Sequence, residues 1–103
     1  MTKDQIVAFL QELKHALPQG AVERIGMFGS RVRGDAALMS DLDIFVTFNA
    51  SYLRSHDVWD YFALIEQIRA FVRRRFSLPV DVIDEEGTSE SVRRRIRKEG
   101  IYV

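Results

Sequence analysis

Cysteine is absent from this 103-residue sequence. With no thiol, neither a disulfide scaffold nor a cysteine-ligated zinc site can be built. No apolar run approaches the ~20 residues needed to cross a bilayer, and the N-terminus lacks the charged-then-apolar pattern of a secretion signal. The expectation is a cytoplasmic chain with no membrane partner. An excess of either charge is missing too: Lys and Arg total 15, Asp and Glu total 15, and the formal net charge is +0. The global balance then gives no long-range attraction to nucleic acid, and direct nucleic-acid binding is not expected. Repeats, low-complexity tracts and linkers are also lacking.

What is present is a folded composition, 47% apolar with seven Phe and 29% charged. Such a length supports one core, so residues 1–103 are expected to form a single domain. Ile6, Phe9, Leu10, Leu13 and Leu17 recur at helical spacing over 4–17, with Thr2 and Gln5 available as a capping box and Pro18-Gln19-Gly20 as a stop. Residues 21–28 read as a short strand ending at Gly29. In 42–48, Leu42, Ile44, Val46 and Phe48 share one face of a strand, while Asp41, Asp43, Phe45 and Thr47 share the other. Ser55 or Asp57 starts a long helix to about Arg75, with Val58, Phe62, Ile65, Ile68, Val72 and Phe76 predicted as its inner face. Leu78-Pro79 closes it, Val80 to Ile83 forms a third strand, and Thr88 or Ser89 caps a basic helix ending near Gly100. Helices interleaved with strands predict an α/β (α+β) fold, a small sheet with helices mainly on one face.

The stretch richest in chemistry is Gly29-Ser30-Arg31-Val32-Arg33-Gly34, followed by Ser40-Asp41-Leu42-Asp43. It is not a Walker A loop, because no Gly-Lys-Ser/Thr closes it. Gly29 nevertheless lets a ligand approach the backbone closely, and Ser30 offers both an N–H and a hydroxyl to a phosphate oxygen. A helical turn starting after Ser30 would aim further N–H groups the same way. Arg33, more than Arg31, suits a phosphate contact or a structural one. Alone, Gly29-Ser30 reads as an ordinary tight turn.

Asp41 and Asp43 are the sharper feature. At about 3.3 Å per residue their Cα atoms lie about 6.6 Å apart on one face, a spacing that suits carboxylates converging on hard cations. Magnesium takes oxygen ligands, commonly one or two carboxylates plus substrate phosphates. Asp81, between Val80 and Val82, enters from another strand and faces the same way. Aspartates on a strand also fit a plain solvent face, but aspartate is a poor strand former.

Together, Gly29-Ser30 with Arg33-Gly34, Ser40-Asp41-Leu42-Asp43-Ile44, and Asp81 in Val80-Asp81-Val82-Ile83 resemble the signature of the polymerase-beta-like nucleotidyltransferase superfamily in its minimal form. The resemblance spans essentially the whole chain. It implies that Gly29 and Ser30, with Arg33 and Ser40, contact the triphosphate of ATP. It also implies that Asp41 and Asp43 bind two Mg2+ ions, and that Asp81 binds the catalytic ion and helps to activate the attacking hydroxyl. Small stand-alone members of this type act as antitoxins against a HEPN-domain toxin, which they inactivate by adding AMP to a tyrosine. Val32 departs mildly from the pattern, where Ala is common. Two alternatives are a binding antitoxin that neutralises its partner sterically, and nucleotidyl transfer to a small hydroxylated molecule. Homo- and hetero-oligomers both stay open.

Elsewhere, Arg73-Arg74-Arg75 and Arg93-Arg94-Arg95 read as solvated helix surface, favoured where cations meet a helix C-terminus, or as a docking surface for an acidic partner. Asp84, Glu85 and Glu86 read as a solvated turn. Trp59 and Tyr61 are candidates for partner contacts or core packing.

Overall fold

The computed structural model describes residues 1–37 and 40–103. Its elements run α1 (Lys3–Ala16), β1 (Val22–Phe28), α2 (Ser30–Arg33), β2 (Leu42–Phe48), α3 (Ala50–Ser55), α4 (Val58–Phe76), β3 (Val80–Asp84), α5 (Glu90–Glu99) and β4 (Ile101–Tyr102). The four strands form one mixed sheet in the order β3-β2-β1-β4. β1 pairs antiparallel with β2 and β4, whereas β2 and β3 run parallel, joined through α3 and α4. Among the described residues, no helix is long and apolar enough to cross a membrane.

Local sequence explains most element ends. The Thr2 hydroxyl accepts from the Gln5 N–H at 3.1 Å while the Gln5 side chain accepts from the Thr2 N–H at 2.9 Å, the reciprocal box that starts α1. Asp57 and Asp60 build the same device at the start of α4. Ser89 caps α5 through the Val92 N–H. Two elements lie outside the sequence expectation. Asn49 caps the short α3 by accepting from the Ser51 N–H, and β4 is two residues long, too short for any periodicity to register.

The main core lies between one face of the sheet and helices α1 and α4. It joins Ile6, Leu10 and Leu13 to Ile25, Met27, Leu42, Ile44, Val46, Leu64, Ile68, Val72 and Val82. The inner face of α4 is rotated from the predicted one. Leu64, Ile68 and Val72 are buried, whereas Val58 and Phe62 are 56% and 53% exposed. The line through Tyr61, Leu64, Ile68 and Val72 points inward, and Phe62 stands one residue, about 100°, away from it. Trp59 is exposed, while Tyr61 packs against the core and donates its hydroxyl to Asp84 at 2.7 Å. Burial first, and then Asp84, raise the Tyr61 pKa.

The second face of the sheet is covered too. α5 lays Ile96 and Val92 over Phe28, Phe45 and Ile83. Gly26 leaves room on this face for the β4 backbone and the Phe45 ring, since a Cβ there would lie 2.3 Å from the Ile101 carbonyl and 2.7 Å from the Phe45 ring. At the end of β3, Asp84 and the following Glu85 depart from the expected solvated turn. Asp84 accepts from Tyr61 and from the Glu86 N–H, and Glu85 accepts from the buried Thr47 hydroxyl.

Candidate functional site

The site grows from the end of β1. Gly29 takes φ 85° and ψ −158°, a combination essentially restricted to glycine. Its carbonyl accepts the N–H groups of Val32 and Arg33 at 3.0 and 3.1 Å, closing the single turn α2. A Cβ at Gly29 would sit 2.3 Å from Asp43 Oδ2. The bare backbone of the Gly29-Ser30 turn is thus in contact with an aspartate carboxylate. Neither the N–H nor the hydroxyl of Ser30 has a hydrogen-bond partner among the described residues.

Asp43, the second residue of β2, lies between Phe28 of β1 and Asp81 of β3, its register partners on either side. Neighbouring strands lie about 4.8 Å apart and register partners share a face, so the Asp43 and Asp81 side chains project side by side. Asp41 sits just before β2 and is exposed, as is Asp81. Partial burial first, then the charge of Asp81 and more weakly that of Asp41, hold the Asp43 carboxyl above its ordinary pKa, while Arg95 and Arg33 pull it down. The three carboxylates are therefore close enough to feel one another, and Asp43 with Asp81 is the tighter pair. Among the described residues, no group of three or more Asp, Glu, His or Cys side chains forms a cage for a metal ion. A pair of carboxylates beside a phosphate-competent turn fits magnesium held jointly with substrate phosphates, the usual arrangement for that ion.

The remaining candidates hold the frame. Arg31 donates to the Ser40 carbonyl from Nη2 at 2.8 Å and from Nε at 3.3 Å, which ties the segment before Asp41 to α2. Arg33 Nη1 donates to both oxygens of Glu99 at 3.0 and 3.2 Å, and its Nε donates to Asp35 at 3.3 Å. Glu99 also accepts the Gly29 N–H at 3.0 Å and lies 3.9 Å from Arg95. Glu99 and Arg95 escaped the sequence reading, in which α5 was basic surface. The legible signal was the placement of Glu99, an anion in the last turn of a helix, where the dipole favours cations.

A family model described as a nucleotidyltransferase domain matches residues 6–103. The protein adenylyltransferase MntA of Thermococcus cleftensis is 28% identical over 104 residues, an alignment covering 100% of this chain and 97% of that relative. A solved structure described as a minimal nucleotidyltransferase superposes with a TM-score of 0.67 at 24% identity, covering 98% of this chain and 95% of the other. The crystal structure of a toxin-antitoxin with AMP-PNP superposes with a TM-score of 0.66 at 19% identity, covering 99% of this chain and 72% of that one. At these identities the likeness to the solved structures is one of fold.

Proposed function

Because this chain belongs to the nucleotidyltransferase domain family, we propose that it transfers AMP from Mg-ATP to a hydroxyl, a tyrosine, of a partner HEPN toxin, and so acts as an antitoxin. Family membership implies a nucleotide substrate and a divalent cation. The choice of a protein acceptor rests on the adenylyltransferase relative, which aligns over the full length of this chain, and on the toxin-antitoxin likeness in fold. The observation that carries the reading is the Asp43–Asp81 register pair set against the backbone of Gly29.

In this reading Gly29, Ser30, Arg33 and Ser40 form the triphosphate side of the site, with the Ser30 N–H and hydroxyl as donors. Asp41, Asp43 and Asp81 are the residues that would hold two magnesium ions. When bound, the ions supply neutralisation of the leaving pyrophosphate and acidification of the attacking hydroxyl. The acceptor oxygen bonds to the α-phosphorus as the bond from that phosphorus to its bridging oxygen breaks, and pyrophosphate leaves. The hydroxyl proton passes to Asp81. Arg33 and Arg95 keep positive charge beside the carboxylates as negative charge develops on phosphate. Chemistry of this kind needs no pocket for a small acceptor, because a second protein can present the hydroxyl.

The test is intact mass spectrometry of the purified partner toxin after incubation with this chain, ATP and magnesium. The reading expects a gain of one AMP unit, lost with Asp43→Ala. A toxin neutralised in a stable complex without that gain would replace the reading with a steric antitoxin.

A further inference from the structure

We propose that Glu99, in the last turn of α5, is a positioning residue of the nucleotide site, holding the Gly29 peptide and the Arg33 and Arg95 guanidinium groups where the triphosphate binds. The inference rests on the nucleotidyl-transfer reading above and adds a residue and an element to it. The C-terminal helix becomes part of the phosphate-binding apparatus, although it carries none of the motif residues.

The contacts support a built arrangement. One carboxylate takes a backbone N–H at 3.0 Å, two hydrogen bonds from Arg33 at 3.0 and 3.2 Å, and an approach from Arg95 at 3.9 Å. Its side chain is only 16% exposed. Partial burial at a helix C-terminus disfavours an anion, so Glu99 is stable there because of these partners. They come from α2, from the Gly29 turn and from α5 itself, so Glu99 ties three segments to one point.

A carboxylate near a triphosphate site could instead be a competitor that must withdraw. Two features speak against that role. Glu99 is already engaged by two guanidinium groups, Arg33 and Arg95, so its charge is offset within the cluster instead of facing a phosphate. Glu99 also engages the N–H of Gly29 and leaves the Ser30 N–H and hydroxyl without partners among the described residues. The bond to Gly29 instead orients the peptide whose next residue faces the ligand, and that peptide already touches Asp43.

Glu99→Gln and Glu99→Ala test the proposal. Gln keeps an acceptor for the Gly29 N–H but cannot neutralise two guanidinium groups, and it is nearly isosteric, so it preserves the fold. The measurements are calorimetric affinity for a non-hydrolysable ATP analogue with magnesium, and KM and kcat for AMP transfer, at a temperature where circular dichroism shows each variant folded. The expected result is a nucleotide Kd and KM raised about tenfold in Glu99→Gln, and more in Glu99→Ala, consistent with loss of charge-assisted contacts. The value of kcat should stay within about twofold, the mark of lost nucleotide binding. Parent-like Kd and KM in both variants would overturn the proposal, as would a fall in kcat alone. Tighter binding by Glu99→Ala would overturn it as well, and would identify Glu99 as the competitor. Should the parent chain itself neither bind nucleotide nor transfer AMP, the underlying functional reading fails instead. Should it do both, lose transfer with Asp43→Ala, and be indifferent to Glu99, only this inference fails.

Discussion

Asp43 on β2 and Asp81 on β3 are register partners across the parallel strand pair. Their carboxylates therefore stand side by side, and each must tolerate the other's charge until a cation arrives. A strand pair optimised for stability alone would not set two anions side by side. The arrangement has a thermodynamic signature.

Partial burial and Asp81 raise the folded-state pKa of Asp43 above its ordinary 3.8. The ionised form is thus disfavoured by folding, so its cost is fully present above the folded pKa and vanishes as pH falls below the unfolded value. In chelator-treated buffer, Asp43→Asn should be more stable than the parent at about pH 7, with the difference shrinking toward about pH 4. Urea unfolding across that range checks it. A destabilised variant, or a gain independent of pH, would contradict the shift.

Gly29 combines a positive φ with a Cβ direction that runs into Asp43. Gly29→Ala should cost about 1–3 kcal/mol of stability from backbone strain alone, and displace the Asp43 carboxylate. Denaturant midpoints for the variant and for Gly29→Ala combined with Asp43→Gly separate strain from collision: relief by the second change isolates the steric part.

Much of this was legible beforehand because its signals are local. The capping box at Thr2 and Gln5, the alternation through Leu42–Phe48 and the stop at Pro18 are each written within a few residues, and the shared face of Asp43 and Asp81 follows from period-two geometry. What escaped depends on tertiary context. The alternation of β2 showed one core face, yet Phe45 is buried beneath α5 on the other. On α4, two apolar lines compete, and the sheet selects the one through Leu64, Ile68 and Val72 over the one containing Val58 and Phe62. Glu99 is 70 residues from Gly29, a separation across which no spacing pattern reaches.

The cover supplied by α5 should be energetically central. Phe45, 2% exposed, lies between Phe28, Ile96 and the gap left by Gly26. Phe45→Ala should lose about 3–5 kcal/mol, in the range for a buried aromatic. Hydrogen exchange should show the loss first in α5 and β4. Uniform loosening of α1 instead would mean that the smaller core does not anchor the helix.

If Asp81 takes the proton of the attacking hydroxyl, Asp81→Asn should lower kcat by about 10²–10⁴-fold and leave nucleotide affinity little changed. Single-turnover transfer combined with calorimetry distinguishes this from a binding defect. Equal losses in both would assign Asp81 to nucleotide binding alone.

The most direct measurement is a paired labelling of the partner toxin with ATP carrying the phosphorus label at the α or at the γ position, in magnesium, with this chain and with Asp43→Ala. Covalent label on the toxin is expected from the α position only, absent with the variant. Label from the γ position, or α label undiminished by Asp43→Ala, would contradict nucleotidyl transfer at this site.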